Sequence, residues 1–272
     1  MRGRSLRIVD TEAQVLFHSP VLDRFEGLFH AVTCRDGGRS APPYDTMNLS
    51  LGVGDDARSV NANRRQLQRI TGGVHVYARQ DHGTRVAVVD SRMIDNRDAI
   101  VTVPTAADAL VTDQAGVHLA IQTADCQAVM LFDPRRRVVA NIHSGWRGSV
   151  ANIIGRTIAV MQRTFACDPA EMSAAIGPSL GPCCAEFVNY RTEIPHPLWS
   201  HRVGRHHFDF WQISRRQLVQ AGVFEDRIDD AGICTRCNPH LFYSYRAARQ
   251  TGRFVALIGM HADAAARRQS HA

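Results

Sequence analysis

The chain has 272 residues, 44% hydrophobic and 21% charged, a balance that supports a full buried core and excludes an intrinsically disordered protein. All 32 basic Lys+Arg positions are arginine against 26 acids, a formal charge of +6, but the arginines are scattered (Arg2, Arg64, Arg135, Arg202, Arg267) rather than gathered in a stripe with aromatics. Small anionic substrates are therefore the expected partners and nucleic acid is not. No apolar run reaches the length of a membrane span and Met1–Arg7 precedes no signal-peptide core. Seven cysteines without framework spacing read as reduced thiols in a cytoplasm.

Leu28–Arg35 alternates as a strand and runs into a Gly/Pro-marked loop over Asp36–Tyr44. Asp56 is placed to cap a helix over Ala57–Ile70 that carries Asn61, Asn63, Arg64 and Arg65, its arginines reading as a solvated face. His75–Gln80 and Arg85–Val89 read as two strands of a hairpin, with His82 on the Asp81–Thr84 turn. Ala109–Thr112, Val117–Thr123, Gln127–Phe132 and Val138–His143 follow as strands, apolar enough to imply a sheet covered on both faces. The Asp133–Arg137 turn predicts that the last two pair antiparallel.

Ser149–Thr164 is an amphipathic helix with Val150, Ile153, Ile154, Ile158 and Met161 on one side. Its glycine-rich entry, Gly145–Gly148, is expected to turn backbone N–H groups and the positive end of the helix dipole toward an anion, with Arg147 beside them. Ser173–Ile176 is a short strand entering a loop that ends in Cys183-Cys184, read as small buried thiols. Arg191–Arg205 reads as a surface excursion, Ser214–Ala221 as a helix and Ile228–Ile233 as a strand. Cys234-Thr-Arg-Cys237 is half of a zinc knuckle, with no second pair at ribbon spacing. Leu241–Tyr245 and Phe254–Met260 supply the last strands. Without repeat or linker, one catalytic domain over residues 1–262 and a frayed tail over 263–272 are expected.

Cys126 and His143 end two apolar runs, and His82 stands on a turn upstream. A thiolate with two imidazoles suits zinc or copper, and three protein ligands with an open fourth position characterise a catalytic metal. The same residues also suit a cysteine nucleophile with a histidine base. A structural cysteine with incidental histidines is the third reading, and spacing does not choose among them.

Thr33-Cys-Arg-Asp-Gly-Gly38, Asn63-Arg-Arg65, Gln80-Asp-His-Gly83, Asp108-Ala-Leu-Val-Thr-Asp113, Thr123-Ala-Asp-Cys126, His143-Ser-Gly-Trp-Arg-Gly148, Ile176-Gly-Pro-Ser179, Cys183-Cys184 and Cys234-Thr235 together closely resemble the YfiH family, also labelled multicopper polyphenol oxidase, laccase-domain protein and purine nucleoside phosphorylase. The resemblance implies an α/β fold, a single layered α/β/β/α domain related to cysteine hydrolases of the cytotoxic-necrotizing-factor type. It implies that His82, Cys126 and His143 hold a metal, Zn2+ or alternatively Cu2+, or form a catalytic site. It further implies phosphorolysis of adenosine, inosine and methylthioadenosine and deamination of adenosine, with small-molecule nucleoside and phosphate as partners. A cysteine amidase editing peptidoglycan precursors is the alternative. A copper phenol oxidase is the weaker one, because no His-x-His pair occurs among the 13 histidines.

In the nucleoside reading Arg147 holds phosphate, Asn48 and Arg64 make further phosphate or ribose contacts, and Asp125 carries a proton beside the ligand cysteine. The chain departs from the family pattern at Asp81, Ala185 and Ala247, which bears on substrate preference.

Overall fold

The strand Val117–Thr123 sets the layering of the molecule. Val117, Leu119 and Ile121 point to one side and pack with Met130, Phe132 and Val139, while Ala120 points to the other and packs with Leu67 and Tyr77. Successive side chains of a strand face opposite ways, so a strand buried on both sides needs a layer on each. In the computed structural model, which describes residues 7–11, 14–94 and 99–262, those layers are a second sheet and the helix Ala57–Thr71. The expected tail, 263–272, lies outside the described residues.

Two multistranded sheets result. In the seven-stranded sheet the order is Arg7–Thr11, Gln14–His18, Leu28–Thr33, Phe254–Met260, Val117–Thr123, Val74–Arg79 and Ile100–Ala106. In the six-stranded sheet it is Ile228–Asp230, Ser173–Ile176, Gln127–Asp133, Val138–Ser144, Ala109–Thr112 and Val86–Val88. Val139 faces the first sheet, whereas Val138, Ala140 and Ile142 face outward onto Ile153, Ile154, Ile158 and Met161 of the helix Ile153–Phe165. Each of the valine, isoleucine and methionine side chains among these, fully buried, contributes about 1.5–3 kcal/mol. Asn141 lies among the inward residues and donates from Nδ2 to the carbonyls of Leu119 and Ala256, 2.9 Å each, which ties one sheet to the other.

Several expectations are corrected. His75–Gln80 and Arg85–Val89 do not form a hairpin: Val74–Arg79 pairs in parallel with Ile100–Ala106 and Val117–Thr123 in one sheet, and Val86–Val88 pairs in parallel with Ala109–Thr112 in the other. The segment that carries His82 is therefore a crossover between sheets. The helix expected over Ser149–Thr164 is two, Trp146–Val150 and Ile153–Phe165, separated where Asn152 adopts the left-handed conformation at φ 55° and caps the second helix by accepting from the Gly155 N–H. Leu241–Tyr245 is turn rather than strand, with Phe242 and Tyr243 buried as anchors. The helix expected from Ser214 begins at Phe210, capped by Asp209. Arg64 is not solvated: like Asn63 it is buried, on the side of Ala57–Thr71 that faces the seven-stranded sheet. Among the described residues, no helix is long and apolar enough to cross a membrane.

Candidate metal and catalytic centre

The site lies where the crossover passes over the ends of two paired strands. Asp133 Oδ1 accepts from the N–H groups of Arg135 and Arg136, 2.9 Å each, closing the expected turn, and the register that follows sets His143 opposite Ala128 and Ser144 opposite Gln127. Cys126, immediately before its strand, thereby arrives beside His143. His82 comes from the crossover, with backbone φ 61°.

Asp108, fully buried just ahead of the strand Ala109–Thr112, joins these pieces. Its Oδ1 accepts from the His82 N–H at 3.0 Å and its Oδ2 from the Gly83 N–H at 2.8 Å, which fixes the crossover. The same Oδ1 is 2.7 Å from His143 Nδ1. Burial opposes a charge on Asp108, yet His143 and the Gly83 amide hold its carboxyl well below the usual range.

With Nδ1 committed to Asp108, His143 presents Nε2 to the Cys126 sulfur. One ligand atom from each of His82, Cys126 and His143 lies within 4.8 Å of the others. Gly145 completes the geometry through its missing side chain: a Cβ there would stand 3.0 Å from His82 Cδ2 and 3.2 Å from Cys126 Sγ.

Burial alone raises the pKa of a thiol and lowers that of an imidazole. Against that, the His143 imidazolium lowers the Cys126 thiol from 9.0 to about 6, and the Cys126 thiolate together with Asp108 raises His143 from 6.5 to about 9. Without metal, the pair is thiolate and imidazolium at neutral pH. The donor set fits a borderline-soft cation such as zinc or copper. It offers one thiolate and two imidazoles, converging beside a glycine that leaves them room, with one imidazole oriented by a carboxylate as metal-bound histidines are.

In front of these residues opens a cavity of about 790 Å³. Its walls include Arg64, Arg79, Arg147, Arg246 and Arg253 and the rings of Trp146, Phe187, Phe210 and Tyr245. Arg64 donates from Nε to the Leu49 carbonyl at 2.8 Å and lies 3.9 Å over the Tyr77 ring. Among the described residues, Arg64, Arg147 and Arg253 form no ion pair.

Residues 29–261 match the model of the family described as multi-copper polyphenol oxidoreductase laccase. The chain belongs to that family. The YfiH resemblance rests on the same stretch, and a crystal structure of the Bacillus licheniformis hypothetical protein YfiH superposes with a TM-score of 0.81 at 27% identity, covering 94% of this chain and 98% of that one. YlmD from Geobacillus stearothermophilus gives 0.79 at 30% identity, covering 93% and 98%. By sequence that organism's purine nucleoside phosphorylase YlmD is 34% identical over 251 residues, 86% of this chain and 91% of its own length. The purine nucleoside phosphorylase of Deinococcus radiodurans is 36% identical over 242 residues, 85% and 88%. Relatives of this family member thus carry the name of an enzyme with small-molecule substrates.

Of the residues singled out from sequence, His82, Cys126 and His143 meet, and Asp125, Arg147 and Arg64 share the cavity wall with them. Arg147 is exposed and stacks 4.4 Å over Trp146. The Gly145–Gly148 segment is the start of a five-residue helix rather than a glycine cradle ahead of a long one. Asn48 is fully buried and away from the cavity wall; its side chain accepts from the Ser50 and Arg253 N–H groups and donates to the Ser50 carbonyl and the Asp55 carboxylate, so it shapes the loop rather than facing a ligand. Asp125 accepts from Thr235 Oγ1 at 2.7 Å and from the Arg246 N–H at 2.6 Å, anchoring the 235–246 segment against the site. Sequence reasoning assigned no role to Asp108 or to Arg253. The Arg253 guanidinium, although burial opposes its charge, is stabilised by the charges of Cys126 and Asp125.

Proposed function

We propose that this protein is a purine nucleoside phosphorylase that cleaves adenosine, inosine and methylthioadenosine and also deaminates adenosine at the His82/Cys126/His143 centre. The observation that carries the reading is the pairing of that centre, in one cavity, with aromatic rings and with Arg64, Arg147 and Arg253, which form no ion pair among the described residues. A phosphate brings an anion those arginines can pair with, and a purine brings a flat face for Trp146, Phe187 or Tyr245. In phosphorolysis a phosphate oxygen bonds to C1′ as the bond from C1′ to the purine nitrogen breaks. Arg147 at the rim and Arg64 and Arg253 deeper in hold the phosphate in line with that bond, and positioning and charge stabilisation supply most of the barrier lowering.

His82, Cys126 and His143 would hold the metal, zinc or alternatively copper, and bound there it would polarise substrate oxygens and make water more acidic. Asp108 keeps His143 in the tautomer that directs Nε2 inward and fixes the backbone from which His82 projects. Asp125, on the cavity wall, takes up the proton in deamination. We take the domain expected over residues 1–262 as one working unit, a reading supported by Leu28–Thr33 and Phe254–Met260, far apart in the chain, lying side by side in one sheet.

Purified protein incubated with adenosine releases adenine and ribose 1-phosphate only when phosphate is present, and forms inosine with or without it. If no purine base and no inosine appear, the reading fails.

One observation favours a second reading. Cys126, His143 and Asp108 stand in the order of nucleophile, base and orienting carboxylate, the arrangement of a cysteine hydrolase. Amide hydrolysis on a peptidoglycan precursor that survives complete metal removal and disappears in Cys126→Ser would favour it.

A further inference from the structure

Four thiols outside the catalytic centre meet between two loops. Cys183 and Cys184 belong to the loop after the strand Ser173–Ile176, and Cys234 and Cys237 follow the strand Ile228–Asp230. Cys183 Sγ and Cys184 Sγ are each 3.6 Å from Cys237 Sγ, and the four sulfurs all lie within 4.8 Å of one another. A disulfide needs about 2.05 Å. A zinc–sulfur bond of about 2.3 Å sets the edges of a tetrahedral tetrathiolate at about 3.8 Å. The observed spacing is that of ligands round a metal.

The backbone holds the sulfurs there. Ser179 and Cys234 pair as a parallel bridge, with the Ser179 N–H donating to the Ile233 carbonyl at 3.1 Å and the Thr235 N–H to the Ser179 carbonyl at 3.0 Å. Asn238 Nδ2 donates to the Cys234 carbonyl at 2.9 Å, and the N–H groups of Gly181 and Cys237 are directed at the Cys234 sulfur. Gly181 must be glycine for this approach, since a Cβ would fall 3.0 Å from Cys234 Cβ and 2.8 Å from the Trp211 ring. N–H groups aimed at sulfur stabilise the thiolate that a metal requires. Cys184 and Cys234 are buried, and Cys183 and Cys237 close the cluster on the solvent side. As expected from sequence, Cys234-Thr-Arg-Cys237 has no second pair at ribbon spacing; the thiols it meets are those of the adjacent Cys183-Cys184.

We propose that Cys183, Cys184, Cys234 and Cys237 form a second metal site, a closed tetrathiolate that binds zinc and fastens the 177–187 loop to the 231–246 segment. Four protein ligands leave no position for substrate, which is the composition of a structural site. On binding, the thiols lose their protons to solvent and the sulfurs bond to zinc without change of oxidation state. The clamp bears on the cavity because Thr235, between two of the ligands, donates to Asp125 next to Cys126, and because Leu180, Ala185, Tyr245 and Arg246 on the clamped segments line the cavity wall. The proposal stands independently of the reaction assigned to that cavity.

The double variant Cys126→Ser/His143→Ala dismantles the other donor set and leaves all four thiols. Prepared without chelator, it retains about one zinc per chain, with a shell of four sulfurs at about 2.3 Å by X-ray absorption. Less than about a tenth of a zinc per chain overturns the proposal, as does a zinc shell rich in nitrogen or oxygen. The unmodified protein supplies a second measurement that depends on no variant. Alkylation mapped by peptide mass spectrometry leaves Cys183, Cys184, Cys234 and Cys237 unmodified with zinc present and labels all four after chelation. Equal labelling of the four in both conditions, or a Cys183–Cys237 disulfide in the freshly isolated protein, overturns it.

Discussion

Two thiol-bearing groups of metal-competent side chains lie among the described residues, and they differ in what stands behind and in front of them. Behind His143 is a buried carboxylate, Asp108, and in front of His82, Cys126 and His143 is a cavity of about 790 Å³. Behind Cys183, Cys184, Cys234 and Cys237 is the backbone of two loops, braced by Asn238, and none of the four lines that cavity. Their chemistry diverges accordingly. Neighbouring imidazolium pulls the Cys126 thiol down despite its burial, whereas burial and thiol neighbours push Cys183 and Cys184 up. Three donors tuned by a carboxylate leave capacity for a substrate; four donors closed on one another serve architecture.

The contrast breaks most directly at Cys126. Cys126→Ser replaces a thiolate by a neutral hydroxyl and leaves His143 without its partner, so nucleoside turnover is expected to fall by at least about 10³-fold, measured at saturating substrate and phosphate. Unchanged turnover would put Cys126 in the same architectural class as the four-cysteine group. Gly145→Ala inserts a methyl group 3.0 Å from His82 Cδ2 and 3.2 Å from Cys126 Sγ. A displacement of that kind at reacting groups costs about 10²-fold in rate, while the zinc held by the four cysteines is expected to stay. Asp108→Asn keeps the shape and removes the charge that orients His143, for an expected loss of about 10–100-fold in activity or metal affinity. Arg64→Met tests the cavity rather than the centre: KM for phosphate rises about 10-fold with kcat nearly unchanged. A fall in kcat alone would move Arg64 from phosphate holding to the transition state.

Legibility from sequence follows the same division. Cys126 and His143 can be read because each ends an apolar run and the Asp133–Arg137 turn fixes the antiparallel register between them. His82 is readable only through the family motif, since a histidine on a turn otherwise reads as solvated. Asp108 escapes because strand alternation cannot distinguish a carboxylate in water from one that binds a crossover passing between sheets. The crossover itself is hidden for a related reason: two short strands around a turn look alike whether they pair with each other or enter different sheets. Arg64 is named from sequence as a ligand contact, but its burial escapes because helical periodicity assigns charge to solvent, and this arginine satisfies its burial through the Leu49 carbonyl and the Tyr77 ring. The vicinal Cys183-Cys184 and the distant Cys234 and Cys237 share no spacing rule; only the parallel bridge at Ser179 and Cys234 brings them together.

The smallest expected effect separates the two kinds of thiol most sharply, and it is read in metal-stripped protein. The Cys126 pKa is depressed from 9.0 to about 6, so its contribution to stability is complete above pH 9.0 and is lost as pH falls through about 6. The His143 pKa is raised from 6.5 to about 9, so its contribution is complete below pH 6.5 and is lost as pH rises through about 9. Each of these single-group limits presupposes a charged partner, so together the pair's stabilisation is greatest from about 6 to about 9 and falls off on either side. The urea midpoint of the stripped protein, compared with that of His143→Ala, is therefore expected to show its excess between those limits and to converge with the variant outside them. Alkylation of Cys126, followed by mass spectrometry, rises through an inflection near pH 6, and in His143→Ala the inflection moves up because the larger counter-charge opposing burial is gone, while His82 and Arg253 remain. An inflection that stays near 9 in the unmodified protein would mean that Cys126 carries no thiolate at neutral pH without metal, and that the contrast with the four-cysteine cluster rests on geometry alone.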